Sequence, residues 1–226
     1  MAETSQDQDF IVTEAIGKTE HFINQNKKSL GIIFGALILA VGGYLIYQKV
    51  YVAGKEKEAQ VFLYHAEQYL NSDSLNLAIN GDGNNPGFAA IAEDYSMSPS
   101  GNLAKYYLGM IYMRQNKYDE AIETLRGYDA PDDMTGSIAF GAIGDAYMEK
   151  KSYDDAISFY DKAASDKPNN FSTPIMLMKL GIAYETNGNF KEAKNTYEKI
   201  KKDYSASNEA SQVDKYIARV DALAGE

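Results

Sequence analysis

One pattern occurs three times in the chain and limits its fold more than any other feature. Leu108-Gly109-Met110-Ile111-Tyr112 is followed by Tyr118-Asp119-Glu120-Ala121, then Ile143-Gly144-Asp145-Ala146-Tyr147 by Tyr153-Asp154-Asp155-Ala156, then Leu180-Gly181-Ile182-Ala183-Tyr184 by Phe190-Lys191-Glu192-Ala193. In each copy the Gly precedes the Tyr by three residues and the Ala by twelve, and successive glycines lie 35 and 37 residues apart. A unit of about 34 residues with a slightly variable loop accounts for both offsets, and self-similarity at such a period marks stacked supersecondary units. Steps of three and four residues within each copy indicate two helices per unit. The Gly lets the first helix lie close against the second, and the Ala removes bulk where they cross. The Tyr and the apolar residue before the Gly fill the space between helices. An aromatic three residues before each Ala (Tyr118, Tyr153, Phe190) covers the short turn. A large residue four after it (Leu125, Tyr160, Tyr197) packs on the same helical face.

These positions closely resemble the tetratricopeptide repeat, with units at residues 102–135, 137–170 and 174–207. The second unit matches best, since Phe140, Ala163 and Pro168 also fit. The first departs at Lys105 and Tyr128, and the third carries Ser205 in place of the closing Pro. Pro168 closes its helix, and Thr173-Pro174 reads as N-cap and first position of the next. Residues 208–226 form an expected C-terminal capping helix with Ala210, Val213, Ile217, Val220 and Leu223 on one face, as a helical stack requires.

Upstream of the repeats the character of the chain changes twice. Residues 1–28 are a polar tail with three Lys and five acids, and residues 29–48 are uncharged and mostly apolar. At about 1.5 Å per residue, that run is roughly 30 Å of helix, enough to cross a bilayer core. Lys27, Lys28 and Lys49 bound it, and Tyr44, Tyr47 and Tyr51 gather at its second end, where amphipathic rings favour the headgroup region. It is too long for the apolar part of a signal peptide, and Lys49-Val50-Tyr51-Val52 offers no small-residue cleavage site, so an uncleaved anchor is expected. Gly31 and Gly35 could admit a second helix, although glycine is common in spanning helices anyway. Lysines balance at the two ends, three against three within 15 residues, so charge does not set the orientation. The short tail favours an exported C-terminal domain. Residues 49–101 are a membrane-proximal helical linker or a degenerate repeat, interrupted by the turn-rich Gly81–Gly87. That loop lacks the alternating acids of a calcium site. The expected fold is therefore all-α, a single N-terminal transmembrane helix followed by a tetratricopeptide-repeat superhelix.

Composition removes several function classes. The chain has no Cys and two His, which excludes thiolate metal sites and cysteine nucleophiles and argues against a multi-histidine centre. The net charge is −10, and the first 54 residues hold four Lys and five acids, so nine of those charges belong to residues 55–226. Such a surface repels nucleic-acid backbones. The pairs Asp119/Glu120 and Asp154/Asp155 recur at one structural position, which suits helix-start electrostatics and not catalysis. No catalytic residue, cofactor or metal is expected, and the chain reads as a non-enzyme.

The repeat resemblance implies a protein-binding groove lined by the first helix of each unit. The family pattern places Tyr106, Met110, Met113 and Arg114 in it from the first unit. It adds Gly141, Asp145, Met148 and Glu149 from the second, and Met178, Ile182 and Glu185 from the third. This groove is expected to be largely apolar, with flexible Met suited to varied partners. Tyr106, Met110, Gly141 and Asp145 stand where a carboxylate-binding clamp of Lys, Asn and Arg would lie, so no such clamp is expected. The layout as a whole, with Phe22-Ile23-Asn24-Gln25-Asn26-Lys27-Lys28 before the Gly-rich span and an acidic repeat domain after it, is similar to the ancillary translocon-subunit family of bacterial inner-membrane proteins. That resemblance implies a periplasmic repeat domain, with the protein-export channel and a membrane-anchored chaperone as partners. The alternatives are an adaptor of another secretion or envelope-assembly complex, or a cytoplasm-facing membrane adaptor.

Overall fold

A computed structural model of the chain describes the backbone of residues 3–225 and the side chains of residues 25–225. The first two and the last residue of the expected tail and capping segment lie outside the described residues. The chain divides into two compact units, residues 1–54 and 55–226.

In the first unit, α1 (Glu3–Ile46) continues as a π-helical stretch, Tyr47–Val52. The polar segment read as a tail is thus helical from Glu3. Its sequence has no proline to interrupt a helix. From Ile32 to Ile46 the large apolar side chains stand exposed, Leu39 at 78%. At the π-helical stretch Tyr47 and Tyr51 stack with centroids 5.2 Å apart, and Gln48 donates to the Tyr44 hydroxyl at 3.1 Å. By length and composition, the helical stretch that includes residues 29–48 is apolar enough to cross a membrane.

The second unit is a series of antiparallel helices: α2 (Ala53–Asn71, counted here from Lys55), α3 (Leu75–Asn80), α4 (Phe88–Asp94), α5 (Pro99–Arg114), α6 (Tyr118–Arg126), α7 (Asp133–Glu149), α8 (Tyr153–Ser165), α9 (Ser172–Thr186), α10 (Phe190–Asp203) and α11 (Val213–Ala224). No strand occurs among the described residues. Three pairs, α5/α6, α7/α8 and α9/α10, correspond to the three sequence copies.

The recurring residues meet as their spacing requires. A Cβ on Gly144 would lie 2.6 Å from the Tyr160 ring, one on Gly109 would meet Leu125, and one on Gly181 would meet the Tyr197 ring. Ala121, Ala156 and Ala193 are fully buried at the same crossings. The turn within each pair is also repeated. Asn116, Lys151 and Gly188 adopt left-handed conformations, with φ of 59°, 61° and 79°. The amide before the second helix then bonds back to the carbonyl of the recurring Tyr: Lys117 to Tyr112, Ser152 to Tyr147 and Asn189 to Tyr184, at 2.8 to 2.9 Å. This is the glycine-type helix stop, which satisfies otherwise orphaned carbonyls. Only the third copy uses Gly for it.

Two helix starts differ from expectation. α9 begins at Ser172 instead of after Thr173. Asn169 Oδ1 accepts from the amides of Phe171 and Ser172, at 2.9 and 2.7 Å, while Thr173 Oγ1 accepts from the Asn169 amide at 2.8 Å. Pro174 therefore sits in the first turn, where its missing N–H costs nothing. The last helix begins at Val213 and not at 208. Ser207 Oγ accepts from the Ala210 amide and the Ser211 hydroxyl donates to the Asn208 carbonyl, side-chain bonds to nearby backbone that hold the segment between in turns and compete with helix.

The apolar interior forms three successive clusters: Ala59–Ile111, Ile122–Ala146 and Ala156–Val220. The first is closed by a polar tie. Glu56 on α2 accepts from the Ser100 amide at 2.9 Å and its hydroxyl at 2.8 Å, and from Gln60 at 2.8 Å. It thereby caps the start of α5, where Ser98 accepts from Gly101 and Pro99 fills the first position.

Two stability predictions follow from these contacts. Gly144→Ala should lower unfolding free energy by about 1–3 kcal/mol through overpacking against Tyr160, whereas Lys151→Gly should raise it by up to about 1 kcal/mol by relieving the left-handed backbone. Urea titrations of the two variants check both. Burial pushes the Glu56 carboxyl up, but the hydrogen bonds from Ser100, Gln60 and Ser98 together hold it below its ordinary value. Its folded value is depressed, so its stabilisation is present above the unfolded value and lost as pH falls through the folded one. Denaturant titrations below about pH 4.5 should therefore show a shallower pH dependence for Glu56→Gln than for the wild type.

Candidate protein-binding groove

The first helices of the pairs, α5, α7 and α9, each present one face with positions three and four apart, and α11 takes the corresponding place at the end of the stack. On α5, Tyr106, Met110 and Met113 are half-buried and pack on the cluster built from Ile122, Leu125 and Ile143. The Tyr106 ring also lies 5.3 Å from that of Tyr128. Arg114 is exposed and pairs with Asp73 at 2.6 Å. On α7 and α9, Met148 and Met178 are half-buried against the C-terminal cluster. Ile182 is half-buried. Gly141 departs from its expected place. It is buried, and a Cβ there would lie 2.6 Å from the Met176 sulfur, so it serves the packing of α7 on α9.

The face is therefore less apolar than the sequence suggests, because the methionines spend part of their surface between repeats. What stands out is a chain of charge ties. Asp145 accepts from the Tyr160 hydroxyl at 2.6 Å and from Lys179 at 2.6 and 2.8 Å. Glu185 accepts from Arg219 Nε at 2.6 Å and from a second guanidinium nitrogen at 2.7 Å, and from the Tyr197 hydroxyl at 3.2 Å. Both links join one first helix to the next. The Arg219 fork on a carboxylate is the stronger geometry of the two. Burial, then the neighbouring carboxylates Asp145 and Glu185, push the Tyr160 and Tyr197 hydroxyls far above their ordinary range. Each is a permanent donor. Burial and Glu67 likewise push Tyr107 up to about 12.

Sequence reasoning missed Lys179, Arg219 and the two tyrosine hydroxyls as parts of this face. A signal was present, since Asp145–Lys179 and Glu185–Arg219 are each 34 residues apart, one repeat. The paired acids sit in the first turns of α6 and α8. There Asp119 pairs with Lys150, and Asp154 accepts from Asn187 at 2.8 Å, so they too link successive repeats. Among the described residues no group of His, Asp and Glu could hold a metal ion.

Comparison with known proteins follows the same three pairs. Residues 88–133, 139–170 and 176–207 each match a model of the tetratricopeptide repeat. The first match starts at α4, within the segment read as linker or degenerate repeat. Among solved structures, a putative kinesin light chain of Podosopora anserina with nearly identical TPR-like repeats is similar at 14% identity over 75% of this chain and 88% of that one, with a TM-score of 0.57. The MamA protein is similar at 16% identity over 74% and 89%, with a TM-score of 0.50. At these identities the likeness is one of fold. No curated protein matches.

The Tyr160–Asp145–Lys179 link should be measurable. Tyr160→Phe should cost about 1 kcal/mol of stability, and a double-mutant cycle of Asp145→Asn with Lys179→Met should give a coupling of about 0.5–1 kcal/mol that fades at high salt.

Proposed function

From the premise that this chain carries tetratricopeptide repeats, an all-helical scaffold that suits protein binding, we propose that it is a membrane-anchored binding protein without catalytic activity. Residues 29–48 are its anchor, and a partner protein lies along α5, α7 and α9. The anchoring is carried by one observation: the side chains from Ile32 to Ile46 are apolar and exposed along a helix of sufficient length. Lipid removes the cost of that exposure, and water does not. The partner surface on this reading is Tyr106, Met110, Met113, Arg114, Asp145, Met148, Met178, Ile182 and Glu185. Half-buried Met beside paired charges offers apolar contact with polar orientation.

The finer assignment is an accessory of the protein-export channel in a bacterial inner membrane, with the repeat domain in the periplasm beside a membrane-anchored chaperone. It is supported by the layout of tail, Gly-rich span and acidic repeat domain. Confinement to one membrane would raise the effective concentration of each partner. The negative domain would stay clear of anionic lipid.

Protease added to intact cells, to cells with the outer envelope opened, and to lysates tests the topology. Digestion of residues 55–226 on opening the envelope is expected. Protection until lysis would leave a cytoplasm-facing adaptor in its place. A photo-crosslinking residue at Ile182 should then capture export-channel subunits or a chaperone, and the same residue at Glu198 on α10 should not.

A further inference from the structure

The second helix pair fills part of its outer face with side chains that the third pair lacks. Between α6, α7 and α8, the Phe159 ring stacks on Tyr147 at 5.5 Å and lies 6.4 Å from Phe140. Arg126 sits over Phe159, 5.1 Å from its centroid, and donates to the Tyr147 hydroxyl at 2.9 Å. One repeat on, in the register of the Gly and Ala positions, Thr196 replaces Phe159, Leu177 replaces Phe140, Tyr184 replaces Tyr147 and Asp161 replaces Arg126. The ring and the cation are both missing. In their place is a cleft of about 480 Å³, floored by Leu177, Leu180 and Tyr184 and edged by Asp161, Thr196 and Lys199. That volume falls within the range of pockets that accept small ligands.

The charges at the edge are selective. Lys199 is held by Asp203 at 2.7 Å, whereas Asp161 makes no ion pair among the described residues. Burial first, then Asp161 and Glu192, push the Tyr184 hydroxyl above its ordinary value. The face is also separate from the groove. At about 100° per residue, Leu177, Leu180 and Tyr184 lie roughly 120° around α9 from Met178, Ile182 and Glu185.

We propose that this cleft docks an aromatic side chain carried next to a cationic one on an extended segment of a partner protein. The chain's own preceding pair is the template. The aromatic ring lies on Tyr184 where Phe159 lies on Tyr147, and the cation meets Asp161, where the preceding pair has its own Arg126. Stacking supplies the attraction and the unpaired carboxylate the selection. The inference stands whether or not the groove on the other face binds its partner.

The test uses the full chain in detergent solution and the dipeptide probes acetyl-Phe-Arg-amide, acetyl-Ala-Arg-amide and acetyl-Phe-Glu-amide, read by ligand-detected NMR. Acetyl-Phe-Arg-amide should bind in the millimolar range, at least about tenfold tighter than either control. Asp161→Lys should weaken it about tenfold. Thr196→Phe should rebuild the missing plug, abolish probe binding and raise the melting temperature. Equal binding of all three probes, or no binding at about 10 mM, would overturn the proposal. So would binding of acetyl-Phe-Arg-amide that neither substitution changes. Self-association abolished by Thr196→Phe, with no probe bound, would assign the cleft to a second copy and overturn it as well. If Thr196→Phe does not fold, the exposed Asp161→Lys variant still decides between binding through the carboxylate and binding elsewhere.

Discussion

A glycine on one helix set against a leucine or tyrosine side chain on the next determines the spacing of every pair in the repeat domain. Leu125 on Gly109, Tyr160 on Gly144 and Tyr197 on Gly181 leave no room for a Cβ. Once the helices lie that close, only alanine fits at their crossing, and Ala121, Ala156 and Ala193 are fully buried. The two tyrosines bring a hydroxyl into the interior, and a buried hydroxyl needs a partner. Asp145 and Glu185 supply it from the first helix of the same pair. Each carboxylate then reaches a cation on the first helix of the following unit, Lys179 or Arg219. Close packing inside a pair is in this way connected, atom by atom, to the register between pairs.

What could be read from the sequence and what could not divide along that same line. Contacts within a pair have a fixed separation along the chain, so the Gly, Ala and large-residue positions are visible as a repeating string. The shared turn follows, although Asn116 announces a left-handed backbone less strongly than Gly188 does and Lys151 does not announce it at all. Contacts between pairs depend on the angle at which units stack, which no local spacing encodes. That is why Gly141 reads as groove surface when Met176 covers it, and why the methionines read as groove lining when they are half-buried between repeats. Local polar side chains explain the displaced helix starts at Ser172 and Val213. The turn of Asn169 and the Ser207–Ser211 segment compete with helix in ways that an apolar periodicity does not register.

The repeats share a skeleton but not a surface. The same outer position holds a stacked Phe159 in one pair and Thr196 in the next, with opposite charge alongside. On the inner face, ionic links between successive first helices run through a groove expected to be largely apolar. Sequence variation that leaves the Gly, Ala and large residues alone is free to rewrite either face, because neither face carries the helix crossings.

The three apolar clusters lie one after another along the chain, and no single centre gathers residues from both Ala59 and Val220. Such an arrangement behaves as elements in series. A pull applied between residue 55 and residue 224 passes undiminished through every cluster, so extension begins at the weakest one and releases length in steps. The links from Asp145 to Lys179 and from Glu185 to Arg219 act as short crossbars between neighbouring steps. The domain is accordingly a compliant strut, whose resistance to load is set by its softest joint and not by its total buried area.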